Sequence, residues 1–350
     1  MNKLIQNSIF YLVVFCVTYF IYVYPFEILN ELLFNDIINR RVSFYYTIII
    51  SILIIFYFRS FESLKPLRFF VFEGMGIGFI SFWIVTSSYL VSLFIPEFSY
   101  FLGILSLILI FLLTIISIYY GNKILSKEIN ISSNKITSNK SFIFISDIHL
   151  GSNSSKFLDK IISKIIKHKY DFVLIGGDLI DSSLFDYSCL IKFKKLNCPV
   201  YFVTGNHEYY IKNSKDFIKN LEKYNIRHIS NDTQLIDNIN LIGIDDNLSK
   251  NKQIDIINNK INTDKYNLLL IHKPSLWVDI RDRIDLMLSG HTHNGQIFPF
   301  NYFVRIQFKF KYGLYKFNKS RLYISSGAGT WGPKMRLGTS NEIILFNLSK

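Results

Sequence analysis

The 350-residue chain has seven histidines, and two of them stand one threonine apart in GHTHNGQ, residues 290–296. Others sit in similarly compact groups: Asp147-Ile148-His149, Gly205-Asn206-His207-Glu208, and His272 at the end of YNLLLIH. A further group, Gly176-Gly177-Asp178, supplies a carboxylate after paired glycines. Neutral imidazole, carboxylate and amide oxygen together make a mixed nitrogen and oxygen donor set that suits Mn, Fe, Zn or Co. Pairs at i and i+2, such as Asp147/His149 and His291/His293, project to one side of an extended chain. One rigid backbone thus offers two donors. Glycines before Asp178, Asn206 and His291 let the backbone turn sharply near a small centre. A lone D-x-H or G-D carries little information, but five such groups in one chain point to a metal site.

These groups need elements that hold them together. SFIFISD (141–147) reads as a buried strand, and Phe157, Leu158, Ile161, Ile162, Ile165 and Ile166 follow at helical spacing. DFVLIGGD and PVYFVTGNHE read as further strands, with helices expected over 184–196 and 214–224. This βαβαβ order implies parallel strands in a layered α/β domain. Later runs, INLIGID, YNLLLIH, IDLMLSGHTH, RLYISSG and EIILFNL, have little helix between them and suggest a second sheet packed on the first. Five of the seven histidines stand just past a predicted strand, where α/β sheets gather their ligands. His168 and His228 do not, and read as ordinary surface or core residues. Glu208 reads as a turn residue.

D-x-H, G-D, G-N-H-[DE], H and G-H-x-H in this order resemble the calcineurin-like metallophosphoesterase superfamily over residues 141–350. SDIHLG, GHTHNGQI and YISSGAGTWGPKMRLG look like its membrane-associated subfamily. That subfamily includes UDP-2,3-diacylglucosamine pyrophosphatase-like proteins and transmembrane proteins with a metallophosphoesterase domain. The resemblance implies a four-layer αββα sandwich and two divalent metals, Mn foremost, with Fe or Zn as alternatives. It implies that Asp147, His149 and His293 bind the first metal and Asn206, His272 and His291 the second, with Asp178 bridging. His207 would stand beside the phosphoryl group as the catalytic residue, and water activated by the metals would attack in line. Asn294 replaces a glycine common in the subfamily; Asn tolerates positive φ, and it is also a candidate substrate contact. Arg336, in GPKMRLG, is a second candidate for binding phosphate or a lipid headgroup.

The first third of the chain is of another kind. Residues 1–120 carry six Lys/Arg and six Asp/Glu, so the whole surplus of +13 lies after them. Uncharged runs of 23, 17, 23 and 24 residues end near Glu27, Arg59, Glu97 and Gly121. Each approaches the length of about 20 that a spanning helix needs, and none shows a polar stripe. An all-α bundle of four transmembrane helices is expected, at about 5–25, 42–58, 74–95 and 99–121. Gly74 and Gly78 have the spacing that lets helices approach closely. Residues 1–122 are thus a membrane region, 123–140 a polar linker and 141–350 the phosphoesterase domain. Lys3, Arg59, Lys65, Arg68 and the lysines after Asn122 put both termini and that domain on the cytoplasmic side of the inner membrane of a bacterial cell. Cys16, Cys189 and Cys198 have no ligand-like spacing and read as small hydrophobes.

Residues 302–323 interleave Lys/Arg with Phe/Tyr. Such a run suits a β-hairpin with a solvated basic face, a membrane interface with anionic headgroups, or single-stranded nucleic acid. With four membrane helices in the chain, the leading expectation is a membrane-bound phosphohydrolase of lipid metabolism. Its partners would be the bilayer and a phosphorylated, lipid-linked or nucleotide-sugar-lipid substrate. Three alternatives remain: a phosphodiesterase or phosphatase for a soluble cyclic nucleotide or phosphoprotein, a catalytically silent membrane sensor, and, less favoured, a nuclease.

Overall fold

A computed structural model describes residues 3–60 and 65–350. The chain divides into two compact units, one of Met1–Tyr119 with Gly332–Met335, the other of Tyr120–Trp331 with Arg336–Lys350.

The first unit is helical: α1 (Lys3–Thr18), α2 (Tyr24–Phe34), α3 (Arg40–Ser60), α4 (Lys65–Ser92) and α5 (Ser99–Asn122, whose last turn enters the second unit). A π-helical turn, Tyr19–Val23, joins α1 to α2, so the first span runs on to Phe34 rather than ending near 25. Glu27 did not stop it, because its carboxylate accepts a hydrogen bond from the Tyr19 hydroxyl at 2.7 Å. The helix of the third expected span, α4, likewise begins at Lys65, earlier than the expected 74. Part of the intervening loop, 61–64, whose flanking charges entered the topology expectation, lies outside the described residues. Among the described residues, four helical segments are long and apolar enough to cross a membrane, making this a multi-span membrane protein. Gly78 packs as its spacing predicts: a Cβ there would meet the Ile21 carbonyl oxygen at 2.1 Å.

The second unit begins directly, with β1 (Ile124–Ser132). Then follow β2 (Lys140–Ile145), α6 (Ser155–Ile165), β3 (Phe172–Gly176), β4 (Val200–Val203), α7 (Ser214–Lys219), β5 (Ile226–His228), β6 (Asp232–Ile236) and β7 (Ile239–Ile244). The chain continues through α8 (Lys250–Lys260), β8 (Tyr266–Ile271), α9 (Trp277–Ile280), β9 (Leu286–Ser289), α10 (Phe300–Gln307), β10 (Gly313–Phe317), β11 (Ser320–Ile324) and β12 (Asn341–Ser349). The segment expected as helix before β4 is instead a 3₁₀ run, Tyr187–Leu196. The residues expected as a linker, 123–140, hold β1, which pairs in parallel with β12 from Ile124↔Asn341 to Ser132↔Ser349. The sheet therefore starts well before residue 141.

Two six-stranded mixed sheets result, in the orders β1-β12-β2-β3-β4-β5 and β10-β11-β9-β8-β7-β6. Strand alternation explains their stacking. Phe142 and Phe144 of β2 join a core with Leu174, Leu268, Leu288 and Tyr323, drawn from both sheets. Their neighbours Ile143 and Ile145 pack on the opposite face with Leu158, Ile161 and Ile165 of α6. On the outer side of the second sheet, Leu269 and Met287 meet Ile257 of α8 and Trp277 and Ile280 of α9. Strands covered on both faces read as continuous apolar runs, and the layers are αββα, as expected.

Candidate metal centre

The parallel strands of each sheet carry the polar groups past their carboxyl ends: Asp147 and His149 after β2, Asp178 after β3, Asn206 and His207 after β4, His272 after β8, and His291 and His293 after β9. Both sheets thus contribute. Asp147, His149 and His293 form one group of potential metal donors, and Asp178, His272 and His291 a second; His149, Asp178 and His207 form a third that overlaps both. His149 Nε2 lies 3.0 Å from His293 Nε2 and 3.7 Å from Asp178 Oδ2. On the other side His272 Nε2 is 3.1 Å from Asp178 Oδ2 and 3.2 Å from His291 Nδ1. Asp178 Oδ2 therefore lies within 3.7 Å of a nitrogen from each pair.

Backbone geometry explains how so many donors converge. Asp147, His149, Asp178, His291 and His293 all have φ between 48° and 72°, the left-handed region that non-glycine residues rarely occupy. Asn294, the expected glycine replacement, adopts φ 51° and ψ 26°, so it serves the turn. Neighbouring glycines supply the clearance. A Cβ at Gly290 would lie 2.2 Å from Asp147 Oδ2, and one at Gly205 would lie 2.2 Å from Asp178 Oδ1.

Electrostatics set the groups apart. Burial alone would push His272 down, but Asp178 outweighs it and raises the imidazole to about 10. Burial and then His272 push His291 down to about 3; burial and His149 push His207 down to about 4. The residues fit divalent cations on two further observations. Imidazole nitrogens of His149 and His293 face one another across 3.0 Å, and those of His272 and His291 across 3.2 Å. The Asn206 Oδ1 atom is buried with no hydrogen-bond partner among the described residues, a state that buried amides rarely keep without an ion or water.

Two carboxylates behind the donors were not singled out in the sequence. Glu208, read as a turn residue, is fully buried and accepts the backbone N–H groups of Asp178, Leu179, Ile180 and Gly205 at 2.7–3.1 Å. It pins the Asp178 loop to the Asn206 loop, and burial followed by Asp178 raises its pKa to about 7. Asp181 Oδ2 lies 3.4 Å from His149 Nδ1, while its Oδ1 accepts the Ser152 N–H at 2.8 Å. A carboxylate on the Nδ1 side is the arrangement that orients a metal-ligating imidazole, leaving Nε2 to the metal. Its only sequence signal was a second acid three residues after Asp178. Asp181→Asn is expected to weaken metal binding ~10–100-fold without unfolding the chain, because such outer partners carry that much affinity. Titrating metal into the stripped variant and reading the dissociation constant checks this; unchanged affinity removes Asp181 from the site.

Arg336 corrects an expectation. Its side chain is fully buried, so it presents no surface to a phosphate or headgroup. Nε donates to Asn341 Oδ1 at 2.8 Å, and Nη1 to the His293 carbonyl at 2.9 Å. Nη2 donates both hydrogens, to the Ser326 and Gly329 carbonyls at 2.6 and 2.7 Å. The 3.3 Å approach of His293 Nδ1 is therefore a contact, not a third hydrogen bond. Arg336 clamps the turn that carries His293. Arg336→Met strands several buried acceptors at ~1–3 kcal/mol each, so the detergent-solubilised variant should melt well below the parent. An unchanged melting temperature would refute the clamp.

His207 stands at the edge, its Nε2 4.0 Å from Asp178 Oδ2. Its ring meets those of Tyr210 at 5.4 Å and Trp331 at 5.7 Å, both exposed. His168 and His228 lie elsewhere, beside Ser126 and paired with Asp245 respectively. All three cysteines are free.

Comparison with known proteins agrees with this geometry. The calcineurin-like phosphoesterase family model matches residues 140–295. An uncharacterised metallophosphoesterase of Campylobacter jejuni is 37% identical over 63% of this chain and 62% of its own length. One of Aquifex aeolicus is 30% identical over 58% of this chain and 82% of its own. A Danio rerio transmembrane protein with a metallophosphoesterase domain is 30% identical over 57% of this chain and 51% of its own. The chain belongs to the calcineurin-like metallophosphoesterases. It spans less than two thirds of the Campylobacter and Danio relatives it matches.

Proposed function

We propose that this protein is a membrane-bound, dinuclear-metal phosphohydrolase that cleaves a phosphate ester or pyrophosphate bond with water. The observation that supports it most is the convergence of four imidazoles and two buried carboxylates, together with a buried Asn206 oxygen that has no hydrogen-bond partner among the described residues. In this reading Asp147, His149 and His293 would hold one cation and Asn206, His272 and His291 the other, with Asp178 available to both. A mixed set of imidazole, carboxylate and amide donors suits Mn, Fe, Zn or Co. Cations so held would lower the pKa of water and neutralise phosphate oxygens. The chain's own groups do the rest. Asp178 fixes the spacing of the two halves, while Glu208 and Asp181 hold the loops and the His149 ring. His207 offers an N–H to a phosphoryl oxygen or to the leaving oxygen. Asn294, half-buried in the same turn, is a candidate to touch the substrate. No covalent intermediate with the protein is required.

The substrate we propose is a phosphorylated amphiphile, of the class that includes lipid-linked nucleotide sugars and UDP-2,3-diacylglucosamine. The four apolar spans support it, and so does the basic, aromatic composition of 302–323. The excess of Lys/Arg after Asn122 supports a domain on the cytoplasmic face of the inner membrane. The purified, detergent-solubilised chain with Mn should hydrolyse bis(p-nitrophenyl) phosphate, lose that activity to a chelator and regain it on readdition. A panel of lipid pyrophosphates, nucleotides and phosphodiesters then ranks substrates. Silence toward all of them with two metals bound would turn the reading to a sensor.

A further inference from the structure

From Leu286 to Asn341 the chain contains no Asp or Glu, yet it carries eight Lys/Arg. Within that stretch lies α10, all of whose residues are exposed or only partly buried. Its large side chains face outward: Phe300 and Phe303 are 48% exposed, Tyr302 58% and Ile306 84%, and Phe298 just before it is 48% exposed. Water-facing domains rarely display such a contiguous apolar patch without a use for it. Exposed Arg305 and Lys309 and half-exposed Lys311 follow along the chain, and among the described residues no carboxylate pairs with them.

This segment is fastened to the metal centre at both ends. At its start, a Cβ on Gly295 would lie 2.3 Å from the Asn301 Cα, so the helix packs directly on the His293 turn. At its end, the Phe308 ring lies 5.4 Å from that of His291, and the Thr292 hydroxyl donates to the Lys311 carbonyl. Whatever α10 docks against therefore fixes where the His291 side of the site sits.

We propose that α10 seats in the headgroup region of an anionic bilayer and holds the centre at the depth of a lipid phosphate. The substrate would thus be the phosphoryl group of a bilayer amphiphile; that last step rests on the hydrolase reading above. Aromatic rings beside cations are the composition of a membrane interface, and the bare cations complement an anionic leaflet. Spans in the same chain keep a bilayer always at hand, which raises its effective concentration. Single-stranded nucleic acid fits less well, because its bases stack on rings and the most exposed side chain here is Ile306.

The test uses the full chain in lipid nanodiscs, with Cys16, Cys189 and Cys198 replaced by serine. An environment-sensitive fluorophore is attached at Ile306→Cys or, as a control, at Lys319→Cys in the exposed turn between β10 and β11. In discs of phosphatidylcholine with phosphatidylglycerol, the Ile306 label should shift to the blue and be quenched by shallow spin-labelled lipid, and the Lys319 label should not. Quenching should weaken in pure phosphatidylcholine. A water-exposed Ile306 label in both lipids overturns the proposal. So does a blue shift that requires added oligodeoxythymidylate, or one that depends on protein concentration and so reports a second copy. Turnover does not enter this readout, so loss of the hydrolase reading and loss of the docking are told apart.

Discussion

Asp178→Asn is expected to lower metal content from two ions per chain to one or fewer, and to reduce turnover at least ~10³-fold. The magnitude follows from losing several kcal/mol of charge stabilisation at about 1.4 kcal/mol per decade. The substitution preserves volume, and the amide oxygen can still accept the His207 backbone N–H that Asp178 Oδ1 accepts at 2.9 Å. What it removes is the one negative charge close to His149, His272 and His207 alike. That carboxylate is held well below its usual range: burial opposes ionisation, but His272 and the other imidazoles more than compensate. Elemental analysis beside turnover of an aryl phosphodiester decides the matter. Two retained ions with full activity would end the idea that both halves share Asp178.

His207→Ala should behave differently, losing ~10²–10⁴ in kcat, the range for a positioned proton donor, while metal content holds at two. The distinction is needed because His207 also falls within reach of Asp178 and His149 as a potential ligand. Its ring stands edge-on to that of His149 at 4.7 Å and packs against Tyr210 and Trp331 on the outer side. That places it toward the approach of a substrate rather than between the donor pairs. A KM little changed beside a fallen kcat fits a group that acts on the transition state. A drop in bound metal would make His207 a ligand instead.

The donors were legible in the sequence because each stands within four residues of a strand's carboxyl end, and histidine is scarce enough in this chain to be noticed there. Their supports were not. Asp181 and Glu208 act through backbone amides and a ring nitrogen on other loops, and nothing local distinguishes them from turn acids. Arg336 misled for the same reason: a lone arginine in a glycine-rich loop gives no sign that three carbonyls and Asn341 surround it. Strand β1 was hidden by its composition. ILSKEINIS pairs along only one edge, and from Leu125 to Ser132 its burial alternates, Leu125, Lys127, Ile129 and Ile131 being more covered than exposed Ser126, Glu128, Asn130 and Ser132. Such a pattern resembles a polar linker until its period of two is noticed. The first span outran its predicted end because charge counting stops at Glu27, whereas a tyrosine eight residues earlier lets the helix carry that charge.

Five of the donor residues keep left-handed backbones that glycine would adopt with less strain. Each such position costs on the order of 1–3 kcal/mol, so the catalytic loops are held open against their own preference by Glu208, Arg336 and the sheet ends. Conformational stability and chemistry therefore pull these positions toward different residues. A lineage released from the need for turnover, and selected only to fold, would drift to glycine at His149 and His293. It would become sturdier as it went blind to metal.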